Sequence, residues 1–293
     1  MSNNGRSGFM TARIKQKVGL EVRNLDVREA TEQDILALAS LLLLHVVVVF
    51  RDQHLSAREH VKFAGRFGQL ERFPQHASRP GEEPWQRYIF PVANHASQGH
   101  TRVGLYWHTD GYFYQHPTAV SIMRPIQLPP VGGATWFANM AEAYNSLPPE
   151  LLETVNGRVA TSHPVPPSAY GAGFGKTCPG GARHRLVRPH PVHKRPVLFL
   201  NPNNIASIDG LTRDEAQSLV AAIITHVDRS DSVYCHQWQP GDLVMWDNAG
   251  GAHKASTPDV RYERLMERTT LVGDAYYGSD FWQAAARLAA VGA

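Results

Sequence analysis

The sequence predicts a mainly β fold with flanking helices, a jelly roll of two packed sheets. Three observations predict it. Short β-prone runs recur between turns rich in Gly and Pro, as in double-sheet all-β domains. Three segments of helical periodicity each open on a capping box. One unbroken run, Val46-Val47-Val48-Val49-Phe50, is β-branched throughout and reads as a strand buried on both faces.

Met1 to Ala12 reads as a disordered leader, and residues 1–18 are set apart from the domain. Thr31 with Asp34 opens the first helix, whose apolar stripe is Ile35, Leu36, Leu38, Leu41 and Leu42. Ser56 with Glu59 opens the second, burying Val61, Ala64 and Phe67. Thr212 with Glu215 opens the third, with Leu219, Val220, Ile223 and Ile224 inward. Strands are expected at Tyr106 to Phe113, Thr118 to Met123, Thr135 to Asn139, Pro196 to Asn201, Val233 to Trp238, Leu243 to Trp246 and Leu265 to Val272. Pro129-Pro130-Val131-Gly132-Gly133 and Pro240-Gly241-Asp242 are turns. Ser162 to His193, rich in Pro, Gly and His, is expected as a long loop, either a lid or binding loop or a plain surface excursion. Residues 275–293 form a tail in which Ser279-Asp280 opens an Ala-rich helix.

The chain has 293 residues, 43% apolar and 19% charged, enough for one domain with a substantial core. Its net charge of +3 comes without a basic run or a basic stripe interleaved with aromatics, so no nucleic-acid partner is expected. The small excess favours small anionic ligands. The most apolar run, Leu41 to Phe50, is about half the length that spans a bilayer, so no membrane partner is expected either. Met1 to Lys17 is polar and has no apolar signal core. Cys178 and Cys235 stand too far apart for a disulfide framework or a zinc site, and read as reduced thiols of a cytoplasmic protein.

The chemistry concentrates in two stretches. A His-x-Asp pair occurs twice. His226-Val227-Asp228 follows directly on the third helix and reads as a helix end, with His226 near the negative pole of the dipole. His108-Thr109-Asp110 sits in a strand-like segment, where residues i and i+2 point to one side. His253, across Gly250-Gly251 from Trp246-Asp247-Asn248, adds a second imidazole. Each histidine alone reads as a satisfied core residue. Together, two imidazoles and one carboxylate are the donor set of non-haem Fe(II) oxygenases, which keep three positions open. Arg264 and Arg268 lie four apart on a predicted strand and so share a face. Buried arginines are costly unless they meet anions, and a guanidinium fork suits a carboxylate. The alternative is a pair of ion pairs with the chain's own Asp or Glu.

These motifs resemble the TauD/TfdA family of Fe(II)- and 2-oxoglutarate-dependent oxygenases. The matching pieces are Val48-Val49-Phe50-Arg51-Asp52-Gln53, Phe63-Ala64-Gly65-Arg66-Phe67-Gly68, Trp107-His108-Thr109-Asp110, Gly132-Gly133-Ala134-Thr135, Pro240-Gly241-Asp242, Trp246-Asp247-Asn248, His253, and Arg264 with Arg268-Thr269-Thr270-Leu271. The resemblance implies a single double-stranded β-helix domain over residues 19–274. It implies that His108, Asp110 and His253 are the metal ligands and the catalytic centre. It also implies that 2-oxoglutarate chelates iron and sets its distal carboxylate against Arg264 and the Thr135 hydroxyl. Arg268 matches a second family arginine, which neutralises an acidic substrate group or the proximal carboxylate. The implied reaction consumes O2 and releases succinate and CO2 while oxidising an unactivated C–H, with hydroxylation the first expectation. Related halogenases replace the metal-binding carboxylate by a small residue. Asp110 is present, so halogenation is not expected.

The substrate contacts depart from the taurine pattern. The sulfonate-binding histidine after Phe-Gly-x-Leu is matched by Phe73, an asparagine before the first metal histidine by Gly104, and a pocket phenylalanine by Asn204. Taurine is therefore not the expected substrate. His76 or Arg72 is a replacement anion contact, or else simply faces solvent. Tyr106, Tyr112, Phe113, Tyr114 and Asn203 read as a wall suited to an amino-acid-like or aromatic acid, or as plain packing. The expected partner is a small, anionic molecule; homo-oligomerisation stays open. Two rival readings remain: a metal-dependent jelly-roll enzyme without oxygen chemistry, which has no need of Arg264 and Thr135, and a non-catalytic relic of the fold, which the intact triad disfavours.

Overall fold

The computed structural model describes residues 8–73, 83–95, 97–99, 104–163, 181–273 and 278–292. Along the chain run β1 (Met10–Arg13), β2 (Leu20–Arg23), α1 (Glu32–His45), β3 (Val47–Phe50), α2 (Ala57–Ala64), β4 (Phe90–Ala93), β5 (Val120–Gln127), β6 (Thr135–Asn139), α3 (Met140–Asn145) and α4 (Pro149–Val155). Then come β7 (Val159–Ser162), β8 (Arg183–Arg185), β9 (Val187–Pro189), β10 (Pro196–Leu198), β11 (Ile205–Ile208), α5 (Arg213–Arg229), β12 (Val233–His236), β13 (Leu243–Asp247), β14 (Gly251–Ala255), β15 (Leu265–Thr270) and α6 (Asp280–Gly292).

A seven-stranded sheet in the order β1-β2-β3-β13-β5-β15-β4 faces a three-stranded sheet, β12-β6-β14. This is the jelly roll. Strand alternation divides the apolar side chains between two layers. Val48 and Phe50 of β3, with Leu243 and Met245 of β13, pack outward on α1, α2 and α6. Val47, Val49, Val244 and Trp246 point inward, against Phe137 of β6 and Tyr234 of β12. The β-branched run is thus buried on both faces. Its first residue is the exception: Val46 adopts φ 67° and ends α1 rather than joining the strand.

All three capping boxes form, at Thr31/Asp34, Ser56/Glu59 and Thr212/Glu215. In α1, Ile35, Leu38, Leu41 and Leu42 are buried, and Leu36 is half-buried. Each fully buried side chain of this size contributes about 1.5–3 kcal/mol. α5 buries Leu219 and Ile223 against a second layer built from α3, β7, β9, β10 and the back of the small sheet, with Val220 and Ile224 at its margin.

Three expectations need correction. The leader is structured from Gly8 onward as far as it is described: Phe9 is buried and β1 pairs antiparallel with β2. Tyr106 to Phe113 is not a strand but a run of bends and turns carrying one isolated bridge, His108 to His253. The expected loop at 162–193 contains β8 and β9, while residues 164–180 lie outside the described residues. The tail forms the expected helix: α6 packs on α1, and Trp282 is fully buried with its indole N–H donating to Phe67 O at 3.1 Å. Among the described residues no helix is long and apolar enough to cross a membrane.

Candidate active site

The two sheets bring His108, Asp110 and His253 together. One ligand atom from each lies within 4.8 Å of the others, and all three residues are buried. His253 comes from the inner face of β14, opposite Phe137 in the register with β6. The turn that delivers it demands glycine. A Cβ on Gly251 would stand 2.5 Å from Val46 Cγ1, and one on Gly250 would stand 2.9 Å from Asp247 Oδ2. His108 and Asp110 come from the turn after Gly104, whose φ is 73° and whose Cβ, if present, would stand 2.5 Å from His108 Cε1. The position where the taurine pattern has asparagine is therefore a close backbone approach to a metal-binding candidate.

His108 Nδ1 lies 2.9 Å from Tyr106 O. A carbonyl can only accept, so Nδ1 carries the proton and Nε2 keeps its lone pair. The His253 ring packs on Trp246, His108 and Phe137, and its buried Nδ1 has no partner among the described residues. Asp110 sits between the rings, with Oδ1 3.9 Å from His108 Nε2 and Oδ2 3.9 Å from His253 Nε2. Burial pushes both imidazoles down from their ordinary value, so both are neutral donors at pH 7. Burial alone would raise the Asp110 carboxyl. Arg268, the two histidines and the Ser121 hydroxyl outweigh it and hold it at about 2.

The carboxylate is fixed from both sides. Arg268 Nη1 donates to Oδ1 at 2.5 Å and Ser121 Oγ donates to Oδ2 at 2.6 Å. Each oxygen retains a lone pair for a metal. Asn248 holds the frame: its Nδ2 donates to Ser121 Oγ at 3.0 Å, and its Oδ1 accepts from Asp110 N at 3.2 Å and Trp246 Nε1 at 3.1 Å. Thr109 Oγ1 donates to Asn248 O at 2.7 Å. Asn248 was visible as part of a motif. Ser121 carried no signal beyond its place on the inward parity of β5.

The two arginines differ. Arg268 meets the chain's own Asp110, and its guanidinium lies 4.8 Å over Phe90, which packs on Phe73. Its Nε is buried with no partner among the described residues. Arg264 stands one residue before β15, and among the described residues no carboxylate pairs with it. Its Nε donates to Gly133 O at 3.2 Å, and burial alone pushes the guanidinium down to about 10. Thr135 begins β6 two residues beyond Gly133, buried, with its Oγ1 accepting from Trp238 Nε1 at 2.9 Å. A desolvated cation with an unspent fork is suited to an anion from outside the chain.

The remaining candidates separate. Tyr106 is half-buried with its ring 5.5 Å from His108. Tyr112 is fully buried between His184 and Phe199, its hydroxyl without a partner among the described residues and pushed up by burial. It is placed in the core of the inserted strands. Asn203 is exposed on the turn after β10, and Arg72 is exposed. His76 lies outside the described residues. The second His-x-Asp is a helix end, as expected: His226 Nε2 is 3.1 Å from Ala143 O, while Asp228 accepts from Trp107 Nε1 at 2.9 Å. It thereby anchors the residue that precedes His108.

A family model described as "Taurine catabolism dioxygenase TauD, TfdA family" matches residues 11–270. The chain is 30% identical over 277 residues to the alpha-ketoglutarate-dependent 2,4-dichlorophenoxyacetate dioxygenase of Cupriavidus pinatubonensis, covering 87% of this chain and 94% of that one. Among solved structures, a taurine dioxygenase from Burkholderia xenovorans superimposes with a TM-score of 0.74 at 28% identity, over 91% of this chain and 92% of that one. AAD-2 in complex with Mn(II) and N-oxalylglycine superimposes with a TM-score of 0.75 at 27% identity, over 91% and 98%. The chain therefore belongs to the TauD/TfdA family, and is an oxidoreductase of the 2-oxoglutarate-dependent dioxygenase class built on a jelly roll.

Proposed function

We propose that the protein binds Fe(II) at His108, Asp110 and His253 and uses 2-oxoglutarate and O2 to oxidise an unactivated C–H of a small, anionic substrate. Hydroxylation is the favoured outcome. The observation that carries this reading is Arg264: a buried guanidinium that no carboxylate pairs with among the described residues, its Nε on Gly133 O, two residues before the buried Thr135. The trio suits a borderline divalent metal, since both imidazoles are neutral, the carboxylate is ionised and outer hydrogen bonds fix its orientation. When bound, iron with 2-oxoglutarate and O2 supplies the oxidising equivalent that breaks the C–H, with release of succinate and CO2.

The chain's own residues bind, orient and exclude water. Arg264 and Thr135 hold the distal carboxylate and so set the orientation of the cosubstrate. Ser121 and Asn248 keep Asp110 turned toward the metal. Phe137 and Trp246 close the inner side of the site against water, which strengthens every charge interaction within it. Arg268 gives one N–H to Asp110 and keeps its Nε donor at the margin of the trio, where it supports an acidic group on the substrate. That two similar proteins are named for 2,4-dichlorophenoxyacetate and taurine, each of which carries an ionised acid group, supports the same class here. With Phe73 in the sulfonate-histidine position, that anion contact is missing, so taurine itself is not the favoured substrate.

The experiment is succinate release by the Fe(II)-loaded protein across a panel of aryloxyalkanoates, N-acyl and free amino acids, and alkyl sulfonates. The expected result is O2-dependent succinate formation stimulated by at least one member of the panel. Succinate formation that no member stimulates, or one that persists without Fe(II), contradicts the proposal.

A further inference from the structure

Thr135 holds an unusual position for a hydroxyl. A hydroxyl has one proton and two lone pairs. Here one lone pair is taken by the Trp238 indole N–H at 2.9 Å, and no described acceptor takes the hydroxyl proton. Trp238 is itself braced from behind. His236 meets it edge-on at 4.6 Å and 86°. His236 is pinned by Tyr234 Oη at 2.7 Å and Asp242 Oδ2 at 3.0 Å. Asp242 in turn accepts two bonds from Arg51 at 2.8 Å and one from Gln239 N at 2.8 Å. In the register of β12 with β6, His236 lies opposite Thr135, so this network stands immediately beside the hydroxyl.

We infer that Trp238 is a positioning residue for the cosubstrate: its indole N–H fixes the Thr135 hydroxyl as a donor, aimed at the anion that Arg264 holds. This inference rests on the reading that 2-oxoglutarate lies against Arg264 and Thr135. An indole is a donor only, so it cannot accept the hydroxyl proton. By occupying a lone pair it leaves the proton free for a carboxylate oxygen, where the bond is charge-assisted. The buried Tyr234–His236–Asp242–Arg51 chain has no other assigned task, and its effect is to keep the indole from turning away.

The test is anaerobic titration of the Fe(II)-loaded protein with two probes. One is 2-oxoglutarate. The other is 2-oxopentanoate, which has the same chelating end and no distal carboxylate. Trp238→Phe is expected to weaken 2-oxoglutarate about five- to tenfold, the scale of one neutral hydrogen bond. Binding of 2-oxopentanoate and of Fe(II) should not change. Added to Thr135→Val, the Trp238 change should cost nothing further, because it acts through that hydroxyl. Trp238→His, which restores a ring N–H, should recover part of the loss; Trp238→Leu, which also lacks the N–H, serves in place of the Phe variant if that does not fold. Equal weakening of both probes, additive losses in the double variant, or no weakening at all would overturn the inference. A wild type that holds Fe(II) yet binds no 2-oxoglutarate would instead overturn the functional reading beneath it.

Discussion

His108 and His253 donate their backbone amides to each other's carbonyl oxygens, at 2.9 and 2.8 Å. Such a mutual pair is the hydrogen-bonded rung of an antiparallel ladder, and it sets both side chains on one side. The two imidazole rings consequently face each other with centroids 4.1 Å apart. The backbones of the two imidazoles at the candidate metal site are therefore tied directly to each other, between one residue of a turn and one of a strand. The carboxylate is held by side-chain hydrogen bonds instead, from Arg268 and Ser121.

That division makes the outer contacts of Asp110 testable. Ser121→Ala removes the donor to Oδ2, and should weaken Fe(II) binding about tenfold, as loss of an outer-shell partner typically does. Asp110→Ala removes the ligand, and should weaken it by more than about 100-fold. Anaerobic competition with a chelator measures both. A Ser121 variant with wild-type affinity would show that Arg268 alone orients the carboxylate.

His60 provides a pH-dependent contribution to stability away from the site. It is fully buried in α2, with Nε2 3.2 Å from Thr269 Oγ1, and burial pushes it from 6.5 down to about 3. The unfolded chain takes a proton below about 6.5 that the folded chain refuses. The contribution is thus fully present above that pH and is lost as the pH falls, by about 1.4 kcal/mol per unit until the folded value is reached. His60→Leu removes this loss. Thermal unfolding between pH 8 and pH 5 should show the variant gaining on wild type as the pH drops; a constant difference would refute the assignment.

Trp282 ties the last helix to the core. Trp282→Ala should cost about 3–5 kcal/mol, the usual range for a fully buried large aromatic. The lost indole bond to Phe67 O contributes to that figure. Trp282→Phe should cost less. Denaturant unfolding with an unchanged m-value checks this, and a loss below about 1 kcal/mol would mean α6 is only loosely attached.

Local signals in the sequence identified the elements well. The capping boxes name their own residues, and the Val run declares a strand by composition. The metal trio was legible because its three members lie in motifs with fixed spacing. What failed was non-local. β1 is four residues long and gains its partner from β2, so nothing in Met10–Arg13 alone distinguishes it from a leader. Tyr106 to Phe113 is aromatic and looks β-prone, but Gly104 and Gly111, at φ 73° and 68°, turn the chain there. By spacing alone Arg264 and Arg268 look equivalent; the family resemblance separates their expected roles, and only the tertiary approach of Asp110 shows which of them meets the chain's own carboxylate. Ser121 and Trp238 are a common serine and a common tryptophan until the sheets close around them.

Arg264 is the residue on which the functional reading turns, and its test is direct. The Fe(II)-loaded protein is titrated anaerobically with 2-oxoglutarate, and the weak visible charge-transfer band is followed in wild type and in Arg264→Ala. A saturable band in wild type, shifted to at least about 100-fold higher cosubstrate in the variant, is the predicted result, since the distal carboxylate loses its buried fork. Bound iron with no band in wild type, or a band unaffected by the substitution, would contradict it.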